Sequence, residues 1–339
     1  MINLSELTTL HVGGPVQKVI RAESEAQLIA AVQEADQSNI PLLIIGSGSN
    51  ILVSDAGFQG TVIVVATSGN SYEIDACSGG MLQVAAGVNW DEFVQFTLEK
   101  KLANLESLSG IPGTVGASPI QNIGAYGYDV AEVIARVRSY DRHDMAIKTF
   151  TADQCSFSYR DSVFKQTKDR YVILDVTFQL RRGENSLPIK YKELAETLGV
   201  AIDERAPTAE VRSAVLALRS KKGMLYDETA QNWSAGSFFV NPIISESQAG
   251  ELPQDAPRWP QADGQVKIPA AWLLENAGVA KGETLGGAKI SDFHVLAIVN
   301  AGTATAQEIV ALARSARDRV QAKFGIKLTP EVRFVGLEL

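Results

Sequence analysis

The sequence predicts an α+β fold, in which short buried strands and amphipathic helices are mixed along a chain of 339 residues. Three observations support this prediction. Apolar, β-branched runs such as 42–45 have the length of buried strands. Residues 24–37 and 305–324 show helical periodicity with capping signals. After 41–45 the chain turns through a polar loop into further extended sequence, which disagrees with the strand–loop–helix order of a dinucleotide-binding doubly wound sheet.

Hydrophobic periodicity assigns the elements of the first half of the chain. Residues 16–21 are predicted to form a strand, and 24–37 a helix in which Ser24 and Gln27 make a capping box. The remaining predicted elements are strands at 42–45, 61–65, 72–75 and 82–86, and a helix at 90–100.

The second half contains predicted strands at 136–140, 147–151, 171–180 and 332–335, and predicted helices at 207–221, 270–277 and 305–324. The helix at 207–221 has a proline in its first turn, where a missing N–H costs nothing. The long helix has a Thr305–Glu308 capping box at its start and Gly325 at its C-terminal end.

Composition and charge exclude several classes of protein. The formal net charge of −8 opposes non-specific nucleic-acid binding, which needs a basic surface. Two cysteines, Cys77 and Cys155, and three histidines cannot build a Cys/His zinc cluster, so we expect no metal and two reduced cysteines. The N-terminus lacks a signal-peptide pattern, and no apolar run approaches the ~20 residues of a membrane span. We therefore expect a cytoplasmic protein with no nucleic-acid partner and no membrane insertion.

Residues 109–127 hold five glycines and two prolines in one short segment. Glycine in a folded element costs roughly 0.5–1 kcal/mol against alanine, so this segment needs left-handed backbone or room for something against the backbone. Loops whose consecutive N–H groups converge bind anions, and a pyrophosphate would suit such a loop.

A second glycine loop, Gly46–Asn50, follows the strand predicted at 42–45. A Rossmann fingerprint would need a third glycine and then a helix, but Ile51 stands at that position and opens an extended run. Taken alone, this loop is also compatible with an ordinary hairpin turn. Together, the two loops indicate a nucleotide cofactor.

Three polar residues lie in contexts that allow either a structural or a chemical role. Arg160 could pair with its neighbour Asp161 at the surface, or bind a carboxylate and steady developing negative charge. Ser237 lacks the G-x-S-x-G context of a hydrolase nucleophile and could be an ordinary strand serine. Glu331 could be a solvated turn residue or an acid held in a cleft.

Taken in order, five segments resemble those of the UDP-N-acetylenolpyruvoylglucosamine reductase family, the flavoenzymes of peptidoglycan precursor synthesis. They are Gly46–Asn50, Ile-Pro-Gly to Gly-Ala-Tyr-Gly at 111–127, Tyr-Arg-Asp-Ser at 159–162, Gly-Ser-Phe-Phe-x-Asn-Pro at 236–242, and Pro-Glu-Val-Arg-Phe at 330–334. Any one segment would be a weak signal. Five in the family's order, over nearly the whole chain, are specific.

The resemblance implies a two-subdomain FAD-binding region of the vanillyl-alcohol-oxidase (PCMH) type, followed by a C-terminal α+β substrate domain. We expect FAD-binding subdomain 1 at 1–66, subdomain 2 at 67–205 and the substrate domain at 206–329. Residues 330–339 are a candidate strand that returns to subdomain 1.

The resemblance also implies the reaction, a step in cell wall biogenesis that serves cell shape and division. NADPH would deliver hydride to non-covalently bound FAD, which would pass it to the enolpyruvyl ether of UDP-N-acetylglucosamine to give UDP-N-acetylmuramate. We expect a monomer with these small molecules as partners. Two alternatives stay open: an FAD-dependent oxidase of the same fold acting on another alcohol or sugar, and a non-catalytic flavin- or nucleotide-sugar-binding protein.

The resemblance assigns roles residue by residue. Arg160 and Glu331 would stabilise the negative charge on the reacting substrate, and Ser237 would deliver the proton. The implied cofactor-binding residues are Gly46, Ser47, Gly48, Ser49, Asn50, Ile111, Pro112, Gly113, Gly116, Ala117, Ser118, Ile123 and Gly124. The implied substrate-binding residues are Tyr126, Tyr159, Tyr191 on a substrate lid, Lys222 and Asn241. His11 departs from the aromatic residue or arginine that relatives often show at its position.

Overall fold

The computed structural model describes residues 2–75, 79–230 and 233–339. Its α-helices in these ranges are α1 (Glu25–Gln37), α2 (Trp90–Glu99), α3 (Val163–Gln166), α4 (Lys192–Leu198), α5 (Thr208–Lys221), α6 (Glu246–Gly250), α7 (Ala270–Asn276) and α8 (Ala306–Phe324). None of these helices is both long and apolar enough to cross a membrane.

The strands of the same ranges are β1 (Val16–Ala22), β2 (Leu42–Ile45), β3 (Ile51–Val53), β4 (Phe58–Val65), β5 (Asn70–Asp75), β6 (Gly79–Ala85), β7 (Leu102–Ala103), β8 (Gly124–Ala125), β9 (Tyr128–Asp129), β10 (Ile134–Asp141), β11 (Ala146–Thr151), β12 (Tyr171–Arg182), β13 (Trp233–Ser237), β14 (Ile243–Ser245), β15 (Trp259–Pro260), β16 (Gln265–Lys267), β17 (Thr284–Leu285), β18 (Ala288–Ile290), β19 (Ala297–Asn300) and β20 (Arg333–Val335). These bounds confirm each helix and strand predicted from the sequence, to within about three residues at each end. The short helices α3, α4 and α6, the strands β13 and β19 and most of the two- or three-residue strands were not predicted.

The chain folds into two units. The larger unit comprises Gln17–Ser47 and Gln59–Lys221, and the smaller unit comprises Met1–Val16, Gly48–Phe58 and Lys222–Leu339. Two N-terminal segments thus fold with the C-terminal third of the chain. The three-part domain boundaries expected from the resemblance stay a prediction.

Besides the short β8–β9 pair, the described part of the larger unit contains two sheets. One has the strand order β1–β4–β2, with β2 and β4 parallel, and the other runs β11–β10–β12–β6–β5, with β7 paired to β12. Its core includes the aromatic side chains of Trp90 and Phe93 on α2 and Phe178 on β12, each almost fully buried. The rings of Phe93 and Phe178 lie 4.9 Å apart. The amphipathic face of α2 therefore covers the second sheet.

The predicted cap of α1 is half confirmed. The Ser24 hydroxyl accepts the N–H of Gln27 at 3.2 Å, as a capping box requires. The Gln27 side chain, however, accepts the N–H of Glu23 at 2.9 Å instead of that of Ser24. The reciprocal bond has moved one residue outward, so the box as predicted is wrong.

The smaller unit is built on the antiparallel sheet β13–β19–β18–β17, with a second sheet β14–β16–β15. Helices α7 and α8 contribute apolar side chains to one continuous core, including Leu273, Ile309 and Val320. Leu10 and Leu52 from the two N-terminal segments are fully buried in the same core. Strand β3 pairs in parallel with β20, so the closing strand binds residues 51–53.

Asp55 fixes an N-terminal segment to the start of α8. Its carboxylate accepts the N–H of Ala306 at 2.8 Å and that of Gln307 at 3.2 Å. The predicted Thr305–Glu308 capping box is also present, so α8 has two independent caps. A negative charge at a helix N-terminus is further favoured by the helix dipole.

A buried carboxylate ends β10 in the larger unit. Asp141 is fully buried, and it accepts hydrogen bonds from Nε and Nη2 of Arg170 at 3.0 and 2.8 Å and lies 2.7 Å from Nζ of Lys148. The hydrogen bonds from Arg170 lower the pKa of Asp141 well below its ordinary value. The network therefore ties the β10–β11 hairpin to the start of β12.

Substitution Asp55→Ala should lower the free energy of unfolding by about 1 kcal/mol, because it removes acceptors for two N–H groups of α8. Asp55→Asn keeps an acceptor oxygen and should lose less. Urea unfolding of the two variants and the parent measures the difference. Equal stability of all three proteins would show that the Thr305 cap suffices.

Substitution Asp141→Asn should destabilise the protein by about 1–3 kcal/mol at pH 7, because Arg170 and Lys148 lose a charged acceptor. The pKa of Asp141 is lowered in the folded state, so its contribution is complete above the ordinary carboxyl pKa of about 3.9 and is lost as the pH falls below it. The stability difference between parent and variant, measured by urea unfolding from pH 7 to pH 3, should therefore shrink at the acid end. A constant difference over that range would contradict this account.

Candidate functional site

The candidate catalytic residues belong to both units, and each is built by its own unit. Arg160 lies in the larger unit, on a turn before α3, whereas Ser237 and Glu331 lie in the smaller unit. The roles of these residues are implied only by the resemblance, and the structure shows the local geometry around each one.

Arg160 stands on strained backbone. Its φ of +55° is left-handed, a region that non-glycine residues adopt at a cost. Its Nη2 donates to the carbonyl of Gly124 at 2.6 Å, and Nη1 lies 3.6 Å from Asp129. Asp161, the alternative partner, accepts from Gln166 at 2.8 Å. The guanidinium is therefore turned toward the glycine-rich segment 109–127. Its hydrogen bond to that segment helps to hold the strained backbone of Arg160 in place.

Ser237 ends β13 at an irregular point of its sheet. The pairing of β13 with β19 shifts register between Ser234 and Ser237, and Gly236 adopts a φ of +75°. Such bulges re-aim side chains and are common beside active sites. The following residues, Phe238 and Phe239, are almost fully buried and anchor the strand end. Ser237 is thus a half-buried hydroxyl on a rigid support.

Glu331 is held by main-chain bonds on both sides. Its N–H donates to the carbonyl of Phe238 at 2.8 Å, and Phe239 forms a β-bridge with Pro330. Its carbonyl accepts from Nδ2 of Asn50 at 3.1 Å. The structure therefore brings the segments of Ser237 and Glu331 together, although they are far apart in the sequence.

The two glycine loops approach each other in the larger unit. A Cβ on Gly46 would come within 2.5 Å of Oγ1 of Thr114, in the middle of segment 109–127. Gly48 has a φ of +65°, and a Cβ there would meet the Leu7 carbonyl at 2.1 Å. Both positions therefore require glycine, Gly46 in the larger unit for close packing on Thr114 and Gly48 in the smaller unit for its left-handed turn. Backbone without side chains at each of these points is compatible with a cofactor whose phosphates lie close to the chain.

One stretch of the glycine-rich segment does not offer the N–H donors that an anion-binding loop needs. The N–H groups of Val115, Gly116, Ala117 and Ser118 donate to the carbonyls of Val88, Ala86, Thr114 and Val115. A Cβ on Gly116 would lie 2.5 Å from that of Ala86. Glycine is therefore needed at 116 for close packing, and this stretch offers a cofactor close approach instead of hydrogen-bond donors.

The aromatic candidates cluster in the larger unit. Tyr191, at the start of α4, meets Tyr126 edge to face with ring centres 5.5 Å apart. Burial raises the pKa of Tyr126 to about 12, so its hydroxyl stays protonated. The ring of Tyr159 lies 5.4 Å from the Arg160 guanidinium carbon, within the range of a cation–π contact. Tyr191 remains 39% exposed, which leaves it accessible to a ligand.

The two remaining substrate candidates lie in the smaller unit. Lys222 directly follows α5. Asn241 has a structural task, because its Oδ1 accepts the N–H of Ala270 at 2.8 Å at the start of α7. One lone pair of Oδ1 is thus engaged in holding the start of α7.

Three charged residues near the glycine-rich segment had no signal in the sequence. Arg212 on α5 makes a two-pronged ion pair with Asp91 on α2, at 2.7 Å for each bond. Asp91 also accepts the N–H of Gly110, and Nε of Arg219 donates to the Gly110 carbonyl. Burial acts to raise the pKa of Asp91, but the bonds from Arg212 and Gly110 outweigh it and lower that pKa. The start of segment 109–127 is thus fastened to two helices.

His11 belongs to an aromatic group of the smaller unit. Its Nε2 lies 3.0 Å from the hydroxyl of Tyr226, and its ring centre lies 4.1 Å from that of Trp233. Burial lowers the pKa of His11, which favours the neutral ring at pH 7.

Only one of the two cysteines lies in the part of the chain that the structure describes. Cys155 is buried and free, and burial raises its pKa to about 12, as expected for an inert thiol. Cys77 lies outside the described residues.

Comparison with known proteins identifies both parts of the chain. A model described as "FAD binding domain" matches residues 16–149, and one described as "UDP-N-acetylenolpyruvoylglucosamine reductase, C-terminal domain" matches residues 227–335. The UDP-N-acetylenolpyruvoylglucosamine reductase of Cutibacterium acnes is 49% identical, over 99% of this chain and 89% of its own length. That of Thermobifida fusca is 44% identical, over 100% of this chain and 98% of its own.

A solved structure agrees with these relatives. The crystal structure of UDP-N-acetylenolpyruvylglucosamine reductase from Thermus caldophilus has a TM-score of 0.67 and 25% sequence identity, and covers 98% of this chain and 97% of its own. The predicted fold class, a PCMH-type FAD-binding region with a C-terminal α+β domain, is confirmed. The chain is therefore an FAD-dependent oxidoreductase and belongs to the UDP-N-acetylenolpyruvoylglucosamine reductase family.

Proposed function

We propose that this chain reduces the enolpyruvyl ether of UDP-N-acetylglucosamine to UDP-N-acetylmuramate, with NADPH as hydride donor and non-covalently bound FAD. The observation that carries the proposal is the backbone pairing that places Ser237 and Glu331 on neighbouring segments of one rigid framework. The names of the relatives support the substrate. The NADPH preference and the monomeric state rest on the sequence resemblance, and the cytoplasmic location stays an expectation from the composition of the sequence.

FAD supplies hydride transfer when bound. Hydride addition to the vinyl CH₂ of the substrate leaves an electron pair on the neighbouring carbon, conjugated to the carboxylate. We assign to Ser237 the delivery of a proton from Oγ to that carbon, and to Arg160 the stabilisation of the negative carboxylate oxygens. Glu331 can assist only as a protonated donor, since an ionised carboxylate accepts hydrogen bonds and does not donate them.

The other candidates are assigned to binding. The loop Gly46–Asn50 and segment 109–127 would hold FAD, with the stretch 115–118 giving close approach and not N–H donors. Tyr126, Tyr159 and Tyr191 would contact substrate, as would Lys222 and Asn241.

Anaerobic visible spectroscopy tests the function as a whole. Adding NADPH to the flavin-loaded protein should bleach the oxidised flavin band, and adding the enolpyruvyl sugar should restore it. A band that stays bleached until air enters would favour an oxidase of the same fold. A protein that binds no FAD on reconstitution would contradict the flavoenzyme assignment.

Substitution Ser237→Ala should leave flavin reduction by NADPH within about twofold of the parent and slow reoxidation by the enolpyruvyl sugar by about 10²–10⁴-fold, the usual contribution of a positioned acid. Stopped-flow absorbance of each half-reaction measures both. Ser213→Ala, at an exposed serine of α5, is the matched control. Unchanged reoxidation in Ser237→Ala would remove this hydroxyl from the mechanism.

Substitution Arg160→Lys should slow the same reoxidation step by about 10²–10³-fold, because an ammonium cannot reproduce the planar, two-pronged donor geometry. Flavin reduction serves as the internal control. A lysine variant that turns over normally would show that charge alone, without guanidinium geometry, is enough.

Denaturation with guanidinium or acid should release all flavin into the filtrate, because His11 is engaged with Tyr226 and Trp233. Ultrafiltration followed by absorbance of filtrate and protein measures this. Flavin that stays with the unfolded chain would contradict non-covalent binding.

A further inference from the structure

We propose that Asn50 is a positioning residue that sets the place of Glu331 through the main chain, in addition to any contact it makes with FAD. The inference rests on the proposed function, since it concerns the step in which Glu331 takes part. Its basis is the arrangement around β3 and β20 in the smaller unit.

Asn50 stands directly before β3, and Arg333 begins β20. The two strands are parallel and in register, with Ile51 opposite Arg333. The N–H of Arg333 donates to the Asn50 carbonyl at 3.1 Å. The main chain of Asn50 is therefore fixed by the first bond of this strand pair.

The side chain of Asn50 extends the same pairing by two residues. Its Nδ2 donates to the Glu331 carbonyl at 3.1 Å, beyond the point where the strand pair begins. The peptide group on the other side of Glu331 is fixed as well, because the Glu331 N–H donates to the carbonyl of Phe238. One residue is thus clamped from two directions, by the Ser237 segment and by the glycine loop.

The proline at position 330 makes the hydrogen bond from Asn50 to Glu331 more important. Pro330 carries no N–H, so it cannot donate a main-chain hydrogen bond just before Glu331. The carbonyl of Glu331 is therefore an important anchor for the direction in which its side chain leaves the chain. Without the Asn50 bond, the Glu331 carbonyl loses this anchor, and the peptide between Glu331 and Val332 can tilt while the Glu331 N–H stays on Phe238 and β20 stays paired.

A double-mutant cycle tests the proposal with FAD-loaded protein. Asn50→Ala should slow flavin reoxidation by the enolpyruvyl sugar by between about 10- and 100-fold, the cost of a small misplacement of a reacting group. Flavin reduction by NADPH, measured on the same preparations, reports any effect of the substitution on FAD itself, so the ratio of the two rates isolates the effect on reoxidation. In a Glu331→Ala background, Asn50→Ala should add less than about twofold, since the carboxyl group that it positions is gone.

Two further variants keep the cycle interpretable. Asn276→Ala is the matched control, because it removes an Asn Nδ2 that donates to a carbonyl, that of Trp272, inside α7. It should leave both half-reactions unchanged. Asn50→Asp keeps the shape but has no N–H to donate, so it should slow reoxidation at least as much as Asn50→Ala and replaces it if that variant does not fold.

The possible results distinguish a wrong role for Asn50 from a wrong role for Glu331. If Glu331→Ala and Asn50→Ala each slow reoxidation and their effects multiply, Asn50 acts independently of Glu331 and the positioning role is wrong. If Asn50→Ala is as fast as Asn276→Ala, the positioning role is also wrong. If Glu331→Ala itself reoxidises normally, the assigned role of Glu331 fails, and the role of Asn50 fails with it.

Discussion

The parallel pairing of β3 with β20 is the interaction on which the smaller unit depends. It joins residues 51–53 to the last strand of the chain, and buries Leu52 in a core built mostly from C-terminal residues. Asn50 extends the pairing at one end, and Asp55 caps α8 a few residues beyond the other. Because these contacts join the ends of the sequence, the fold of this unit requires the N-terminal segments as well as the C-terminal third.

The candidate catalytic residues share one physical property, which is that irregular backbone presents each of them. Arg160 adopts a left-handed conformation, Ser237 follows a register shift, and Glu331 lies beside a proline at the end of a β-bridge. Regular sheet would alternate side chains between two faces and could not place a single group off that pattern. Irregularity of this kind is expected where position matters more than local stability.

Glycine serves several purposes in segment 109–127 and the loop at 46–50. Gly48 supplies a left-handed turn, whereas Gly46 and Gly116 allow close contact with Thr114 and Ala86. The stretch 115–118 uses its N–H groups to bond its own scaffold. The sequence offered left-handed backbone and close approach as alternatives for these glycines, because glycine content does not reveal which property of the residue is in use at each position. The ion pair of Asp91 with Arg212 adds rigidity from outside the segment, through helices α2 and α5.

The sequence by itself determined the α+β class, the long helices and buried strands, and the family, because these follow from local periodicity, capping residues and ordered motifs. It also identified Arg160, Ser237 and Glu331 as candidates, but only by resemblance. The tertiary structure decided which distant segments meet: 51–53 with 333–335, Phe238 with Glu331, and Asp55 with α8. It also decided that Asn241 caps a helix and that Asn50 holds Glu331. Each of these contacts has a main-chain group on at least one side, and every residue carries such groups, so the sequence gives no signal for which distant segments meet.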